Sequence, residues 1–271
     1  MQALFKQIIK SVLGRLEFEI QRKPEKQTSP LVGRMFTIRT SMEQVLDHFV
    51  AMDFSPATVF DVGVAEGTPA LYTRFSDAKH ILIEPLKEFE PSLKGICSLY
   101  NAEYVLAAAG DRPGMMEIGV SDNLIASSLL RSYGEKRKIP VVTLDNVCKE
   151  RRLNGPYVVK IDVQGAELHV LDGTNTVLKD TELVILEVSF YRTSAAHPDF
   201  YDVINYMMKR GFVVYEIFGG HNRPLDGARA QADIAFVKKE GRFRTSNAWG
   251  TPEQIAEFHR LTMIKDKSRK M

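Results

Sequence analysis

Two carboxylates and two glycines fall within seven residues in Asp61-Val62-Gly63-Val64-Ala65-Glu66-Gly67, directly after an apolar run. The glycines let backbone approach a ligand without a Cβ in the way, and a helical pattern at 69–74 puts unpaired N–H groups just beyond. Such a turn suits a carboxylate or a phosphate. A dinucleotide turn needs Gly-x-Gly-x-x-Gly, however, and the third glycine is missing. Asp61 and Glu66 would repel phosphates, yet they can accept hydrogen bonds from an ammonium group. The spacing therefore counts against a nicotinamide-dependent oxidoreductase. It points instead to S-adenosylmethionine, whose methionine half is a zwitterion. Glu84 closes the next apolar run, 23 residues after Asp61. That is close to the spacing of about 20 at which an acidic side chain receives ribose hydroxyls in this architecture.

Methyl transfer needs alignment and exclusion of water, and an acceptor that is a weak nucleophile also needs a group that takes its proton. Asp162 ends the apolar run YVVKIDV, Gly165 opens a tight turn after it, and Lys160 shares its strand face. Asp162 is therefore the leading candidate base, although aspartate in this position also serves as a helix N-cap. Glu187 ends the run LVILEVS and would face the same cleft, either receiving acceptor hydroxyls or acting as a second carboxylate. His197 follows that run, after Tyr191 and Arg192, and is the second candidate base. His48, His80 and His221 read as structural histidines. No ligand spacing calls for a metal.

These side chains must be positioned by a framework of strands and helices. The short apolar runs VFDVG, ILIEP, YVLAAAG, YVVKIDV, LVILEVS, FVVYEIF and DIAFVKK alternate with helical patterns. Seven strands separated by helices predict an α/β fold, with a mostly parallel sheet and helices on both faces. Between the third and fourth runs, MMEIGVS and IPVVTL predict a β-excursion ahead of a helix starting near Asp145. Ser41 caps an expected helix through Met42, Val45, Leu46, Phe49 and Val50, which stops before Pro56. Upstream, Leu4, Phe5, Ile8, Ile9, Val12, Leu13 and Leu16 form one apolar helical stripe, followed by a linker at 21–35. The expected organisation is an N-terminal helical extension and linker at 1–56, a catalytic domain at 57–240, and a tail at 241–271 with a short helix at 252–263.

Composition narrows the class. Of 271 residues, 44% are hydrophobic and 26% charged, enough for one sizeable core. The 36 basic and 34 acidic residues are interspersed, so a net charge of +2 implies no nucleic-acid partner. A base-flipping Asn-Pro-Pro-Tyr motif is absent, and the single Trp249 lies in the tail. Cys97 and Cys148 form no CxxC pair, which fits a reducing compartment. Lys6, Gln7 and Lys10 interrupt the first apolar stretch, and no run reaches the roughly 18 residues of a membrane span, so a cytoplasmic protein is expected. The exposed stripe near the N-terminus makes a homodimer plausible.

The chain resembles the FkbM family of methyltransferases. The resemblance rests on DVGVAEG with IEP, VVTLDNV at 141–147, VVKIDVQGAELHVLDGT at 158–174, LVILEVSFY at 183–191 and QADIAFVKK, and it covers about 57–239. It implies a Rossmann-like class I methyltransferase fold, S-adenosylmethionine as donor, and O-methylation of a small-molecule or carbohydrate acceptor. Carried over by position, Asp61, Gly63, Glu66 and Gly67 hold the methionine half and Glu84 the ribose. Ala108 and Ala109 lie near the adenine, and Ser127 and Ser128 can hydrogen-bond the donor or close over it. Two positions depart from the family, which usually has Asn at Ala65 and Glu at Gln164. The second change removes a charge beside the reaction centre and keeps open another reading, a cofactor-binding scaffold without catalysis.

Overall fold

The computed structural model describes residues 38–121, 124, 135–192 and 194–269. The N-terminal apolar stripe, Ser127 and Ser128 lie outside them. One compact unit spans Arg39–Asn247. Its elements in chain order are α1 (Met42–Val50), β1 (Thr58–Val62), α2 (Pro69–Arg74), β2 (Lys79–Ile83), α3 (Glu90–Leu99), β3 (Ala102–Val105), β4 (Ala108–Ala109), β5 (Gly114–Val120), β6 (Glu135–Val142), α4 (Leu144–Arg151), β7 (Tyr157–Ile161), α5 (Glu167–Asp172), β8 (Thr181–Ser189), α6 (Phe200–Lys209), β9 (Phe212–Asn222) and β10 (Arg229–Lys238). A second unit contains α7 (Pro252–Arg269), where Trp249 packs edge-on against Phe258. This helix runs past the sequence-based end at 263.

Seven strands form one sheet in the order β3-β2-β1-β7-β8-β10-β9. Only β10 runs against its neighbours; β1, β2, β3, β7 and β8 pair in parallel. Every residue of β1 and β7 is buried, as expected of parallel strands covered on both faces. Alternation divides them. Phe60, Val159, Ile161, Val184 and Leu186 pack with Leu144, Val170, Leu171 and Met207 of α4, α5 and α6. Val59, Leu82, Val158, Leu183 and Ile185 pack with Leu46, Phe49, Leu71 and Leu93 of α1, α2 and α3. Ser41 caps α1 by accepting from the Gln44 N–H at 3.4 Å. Phe49 anchors the helix, meeting Phe243 edge-on at 4.8 Å, a contact worth roughly 0.5–1.5 kcal/mol beyond area burial.

From β1 the chain steps outward to β2 and β3, then returns to lay β7 on the other side of β1. Ligand crevices open at the carboxyl ends of strands at such a reversal. The face that packs against α1, α2 and α3 carries apolar side chains for most of its length. At the carboxyl edge it changes to Asp61, Lys160, Asp162, Glu187 and Asp233, with Asp61 beside Lys160 and Asp233 beside Glu187 in register.

The excursion forms as the sequence suggests, β5 pairing antiparallel with β6 in a separate three-stranded sheet. The run YVLAAAG does not form one strand. It ends as β3 at Val105, turns where the Ala107 N–H meets the Val105 carbonyl at 3.0 Å, and resumes as β4 against β6. An unbroken apolar run carries no mark of a change of pairing partner, because both halves are equally suited to a sheet.

Candidate active site

The turn after β1 is shaped by close approach. Gly63 has φ +76°, and a Cβ there would lie 1.8 Å from the Asp162 carbonyl oxygen. Only glycine lets the turn cross the end of β7 at this point. Ala65 also takes a left-handed conformation, at φ +46°, a strain of roughly 1–2 kcal/mol for a residue with a Cβ. Glu84 holds it there: Oε2 accepts from the Ala65 N–H and Oε1 from the Leu86 N–H, each at 2.9 Å. Burial raises the pKa of Glu84, and these two N–H groups with Lys160 partly offset it.

Between this turn and the excursion lies an open cleft. One side is Gly63, Ala65, Asp162 and Gln164; the other is Leu86, Phe89, Ala108, Ala109 and Ile118, with Glu84 between. The mix of an apolar wall with few polar groups suits the base and ribose of a nucleoside. A carboxylate has about four lone-pair sites. Backbone uses two on Glu84, which leaves acceptors for two vicinal hydroxyls. The residues present thus fit an adenosine bearing an amino-acid arm.

The sequence-predicted residues divide. Gly63, Glu84, Ala108, Ala109 and Asp162 line this cleft, whereas Asp61, Glu66, Gly67, Glu187 and His197 are not in its wall. Glu66 is exposed on the turn. Gly67 has φ +114°, and a Cβ there would meet Ile96 at 2.9 Å. Asp61 is wholly buried beneath the turn. Tyr72 donates its hydroxyl to Asp61 Oδ2 at 2.5 Å, while Oδ1 has only the Lys160 ammonium, at 3.4 Å. Lys160 also donates to the Gly63 carbonyl at 3.3 Å and stands 3.5 Å from Asp162 Oδ2. Burial alone would lower the pKa of Lys160, but Asp61, Asp162 and Asp233 outweigh it and hold the ammonium charged. Burial and then Asp61 push the Tyr72 hydroxyl upward, so it stays a donor.

The turn after β7 brings the second group together. Asp162 does not cap α5, whose N-cap position is Ala166 with no side-chain hydrogen bond. Glu167 serves the turn instead, its Oε1 accepting from Val163 and Gly165 N–H groups at 3.2 and 2.9 Å. Burial raises its carboxyl to about 7 against those donors. Gln164, at φ +56°, sends its amide Nε2 to Asp162 Oδ1 at 3.1 Å and to Glu187 Oε2 at 3.0 Å. Glu187 also accepts from Gln231. Its carboxyl is pushed up to about 9, first by burial and then by Asp162, Glu167 and Asp233. Asp233 rises to about 6, through burial and Asp162, with Lys160 opposing. His197 has Nε2 3.0 Å from Ser189 Oγ, and a Cβ on Gly165 would meet its ring at 2.4 Å. Burial lowers its pKa, which favours the neutral ring. His80 is structural, bonded to the Phe75 carbonyl at 2.9 Å.

Sequence reasoning missed Tyr72, Glu167, Gln231 and Asp233. Asp233 had a signal, as a charge at a period-two position within an apolar strand; Tyr72 had none. Among the described residues no group of three His, Cys, Asp or Glu side chains is arranged to hold a metal.

The strand order with its single reversed strand, the glycine turn after β1 and the acidic residue ending β2 define a class I S-adenosylmethionine-dependent methyltransferase. The chain belongs to the FkbM methyltransferase family: the family model described as the methyltransferase FkbM domain matches residues 61–214. Solved structures with a similar trace include the magnesium protoporphyrin IX methyltransferase of Synechocystis PCC 6803 with bound S-adenosylmethionine, at 12% identity and TM-score 0.40 over 86% of this chain and 96% of that one. Others are the precorrin-6y C5,15-methyltransferase of Geobacter metallireducens, at 11% and 0.40 over 78% and 100%, and an rRNA methylase of Streptococcus thermophilus, at 12% and 0.43 over 74% and 98%. At such identities and TM-scores the likeness says nothing of what this chain methylates. No curated protein matches the chain by sequence. Among the described residues no helix is long and apolar enough to cross a membrane.

Proposed function

We propose that this enzyme O-methylates a hydroxyl of a carbohydrate or small metabolite, with Asp162 as the general base. The observation that carries the reading is that Asp162 lies in the wall of the same cleft as Gly63 and Glu84, with Lys160 behind it and Glu187 beside it. S-adenosylmethionine supplies an electrophilic methyl on a sulfonium when bound. Glu84 receives the ribose hydroxyls, Ala108 and Ala109 flank the adenine, and Gly63 lets the backbone meet the amino-acid arm. Asp61 acts through Lys160, Gly67 through the turn, and Glu66 from its exposed rim. With the donor held by these residues and supplying its methyl group, Asp162 would take the proton of the acceptor hydroxyl. Glu187 holds a proton near neutral pH and can donate to an acceptor oxygen. His197 fixes the turn against Ser189 and is the alternative base.

A hydroxylated acceptor is favoured because Asp162 and Asp233 supply hydrogen-bond acceptors and negative charge, which would repel a carboxylate or phosphate at the same place, while protonated Glu187 can donate to a hydroxyl oxygen. The test is incubation with methyl-labelled donor and a panel of glycosides, polyols, amines and carboxylic acids. A label recovered in alkali-stable ether linkage, and lost in Asp162→Asn, supports the reading. A label found only on amines or as base-labile esters overturns it.

A further inference from the structure

We propose that Asp233 is an acceptor-binding residue that takes a hydrogen bond from a second hydroxyl of the molecule to be methylated, so that the acceptor is a sugar or polyol rather than a simple alcohol. Every other buried or half-buried carboxyl around the two turns already has donors within the protein. Asp61 has Tyr72 and Lys160, Glu84 has the Ala65 and Leu86 N–H groups, and Asp162 has Gln164 and Lys160. Glu167 has the Val163 and Gly165 N–H groups, and Glu187 has Gln164 and Gln231. Asp233 is half-buried, yet among the described residues it has neither a hydrogen-bond donor nor an ion pair. Burial and Asp162 raise its carboxyl to about 6 against Lys160, so at neutral pH it is chiefly a carboxylate. A charged acceptor is costly to hold away from water without a donor, and one left so beside a reaction centre points to a donor on the ligand.

The neighbouring strand supplies a second, independent observation. The register of β9 on β10 shifts between Gln231 and Asp233. Beside the shift, Gly219 and Gly220 take left-handed φ values of +58° and +76°, and a Cβ on Gly219 would meet Asp233 Oδ2 at 2.5 Å. No side chain of β9 can therefore stand at 219 while the carboxyl keeps its place. Bulges of this kind recur next to active sites, where they re-aim a side chain. Asp233 is in register with Glu187, whose Oε2 shares the Gln164 amide with Asp162. A hydroxyl that reaches Asp233 thus belongs to the same acceptor as the one at Asp162, a step that rests on the reading of Asp162 as base. The donor is neutral because Lys160 already stands charged among Asp61, Asp162 and Asp233, and a second cation would have to be desolvated beside it.

The test is carbon NMR of the full-length chain with labelled aspartate carboxyls in the presence of S-adenosylhomocysteine, Asp233 being assigned from the Asp233→Asn spectrum. Methyl glycosides of glucose, galactose and mannose, and myo-inositol, are titrated in, with cyclohexanol and cyclohexylamine as probes that carry a single donor group. At least one polyol should move the Asp233 resonance saturably, and it should bind Asp233→Ala about tenfold more weakly or worse. The two single-donor probes should leave the resonance in place. Thermal melts of Asp233→Ala separate binding from folding: loss of an unpaired carboxylate should leave the Tm equal or higher. A polyol panel that never moves the resonance, a single-donor probe that moves it as far, or unchanged polyol affinity in folded Asp233→Ala overturns the proposal. So does a Tm lower by more than about 5 °C, which would mark a structural carboxylate. Binding needs no methyl transfer, so polyol binding without an ether product would end the methyl-transfer reading and leave this one standing. A methylated acceptor whose KM is unmoved in Asp233→Ala would do the reverse.

Discussion

Glu187→Gln should flatten the fall of stability with pH just above neutrality. The Glu187 carboxyl ionises near 4.5 when free and near 9 in the fold. Between those values the unfolded chain has released a proton that the folded chain still holds. Its contribution to stability is complete below the free value and is lost as pH rises through the folded one. The slope cannot exceed about 1.4 kcal/mol per pH unit. Asp233 and Glu167 act in the same sense, but their folded values are about 6 and about 7. From about pH 7.5 to 8.5, therefore, Glu187 dominates among the raised carboxyls; sharing with Asp162 and partial solvent contact bring the expected loss to about 0.5–1.4 kcal/mol. Urea denaturation followed by circular dichroism reads this directly. The wild-type midpoint should fall across that interval, and that of Glu187→Gln should fall by much less. Equal slopes in the two proteins, or a wild-type stability that rises, would refute the reasoning. Titration of groups remote from Glu187 is common to both chains and cancels in the comparison.

Two further substitutions probe the frame beneath the cleft. Lys160→Met strands the wholly buried Asp61 carboxylate without its cation; thermal and urea melts should show a loss of about 3–5 kcal/mol at neutral pH. Restoring much of that loss with the double variant Lys160→Met, Asp61→Asn would confirm that the stranded charge is the cause. Gly63→Ala places a Cβ 1.8 Å from the Asp162 carbonyl oxygen at φ +76°. The left-handed conformation alone costs about 1–2 kcal/mol, and the forced movement of the turn should weaken S-adenosylhomocysteine affinity, measured by calorimetry, by more than the stability loss explains.

Much of the framework was legible because its signals are local. Apolar runs of strand length between helical patterns describe the parallel sheet, and the ends of three of them carry Asp61, Glu84 and Asp162. The excursion was legible for the same reason. Side-chain destinations were harder. Asp61 and Glu66 sit in one turn and look alike in sequence, yet one is wholly buried against Tyr72 and Lys160 while the other is exposed. Period-two alternation says which residues share a face, but it does not say how far a turn folds back over them. The bridge made by Gln164 depends on a left-handed backbone that its residue type does not announce. Gly165 beside it hinted at a turn without revealing which carboxyls the amide would meet. Glu167 was similarly hidden, since a glutamate opening a helix usually faces water, whereas this one is buried to hold two backbone N–H groups.

The most direct test of the account is calorimetric titration of S-adenosylhomocysteine into the wild type and Glu84→Gln. Saturable one-to-one binding is expected in the wild type. The substitution disturbs the hold on the Ala65 turn and removes charged acceptors from the ribose hydroxyls. A loss of about 1.5–3 kcal/mol corresponds to roughly ten- to more than hundredfold weaker binding. Absence of binding to the folded wild type at high micromolar ligand, or unchanged affinity in Glu84→Gln, would contradict the account of the donor site.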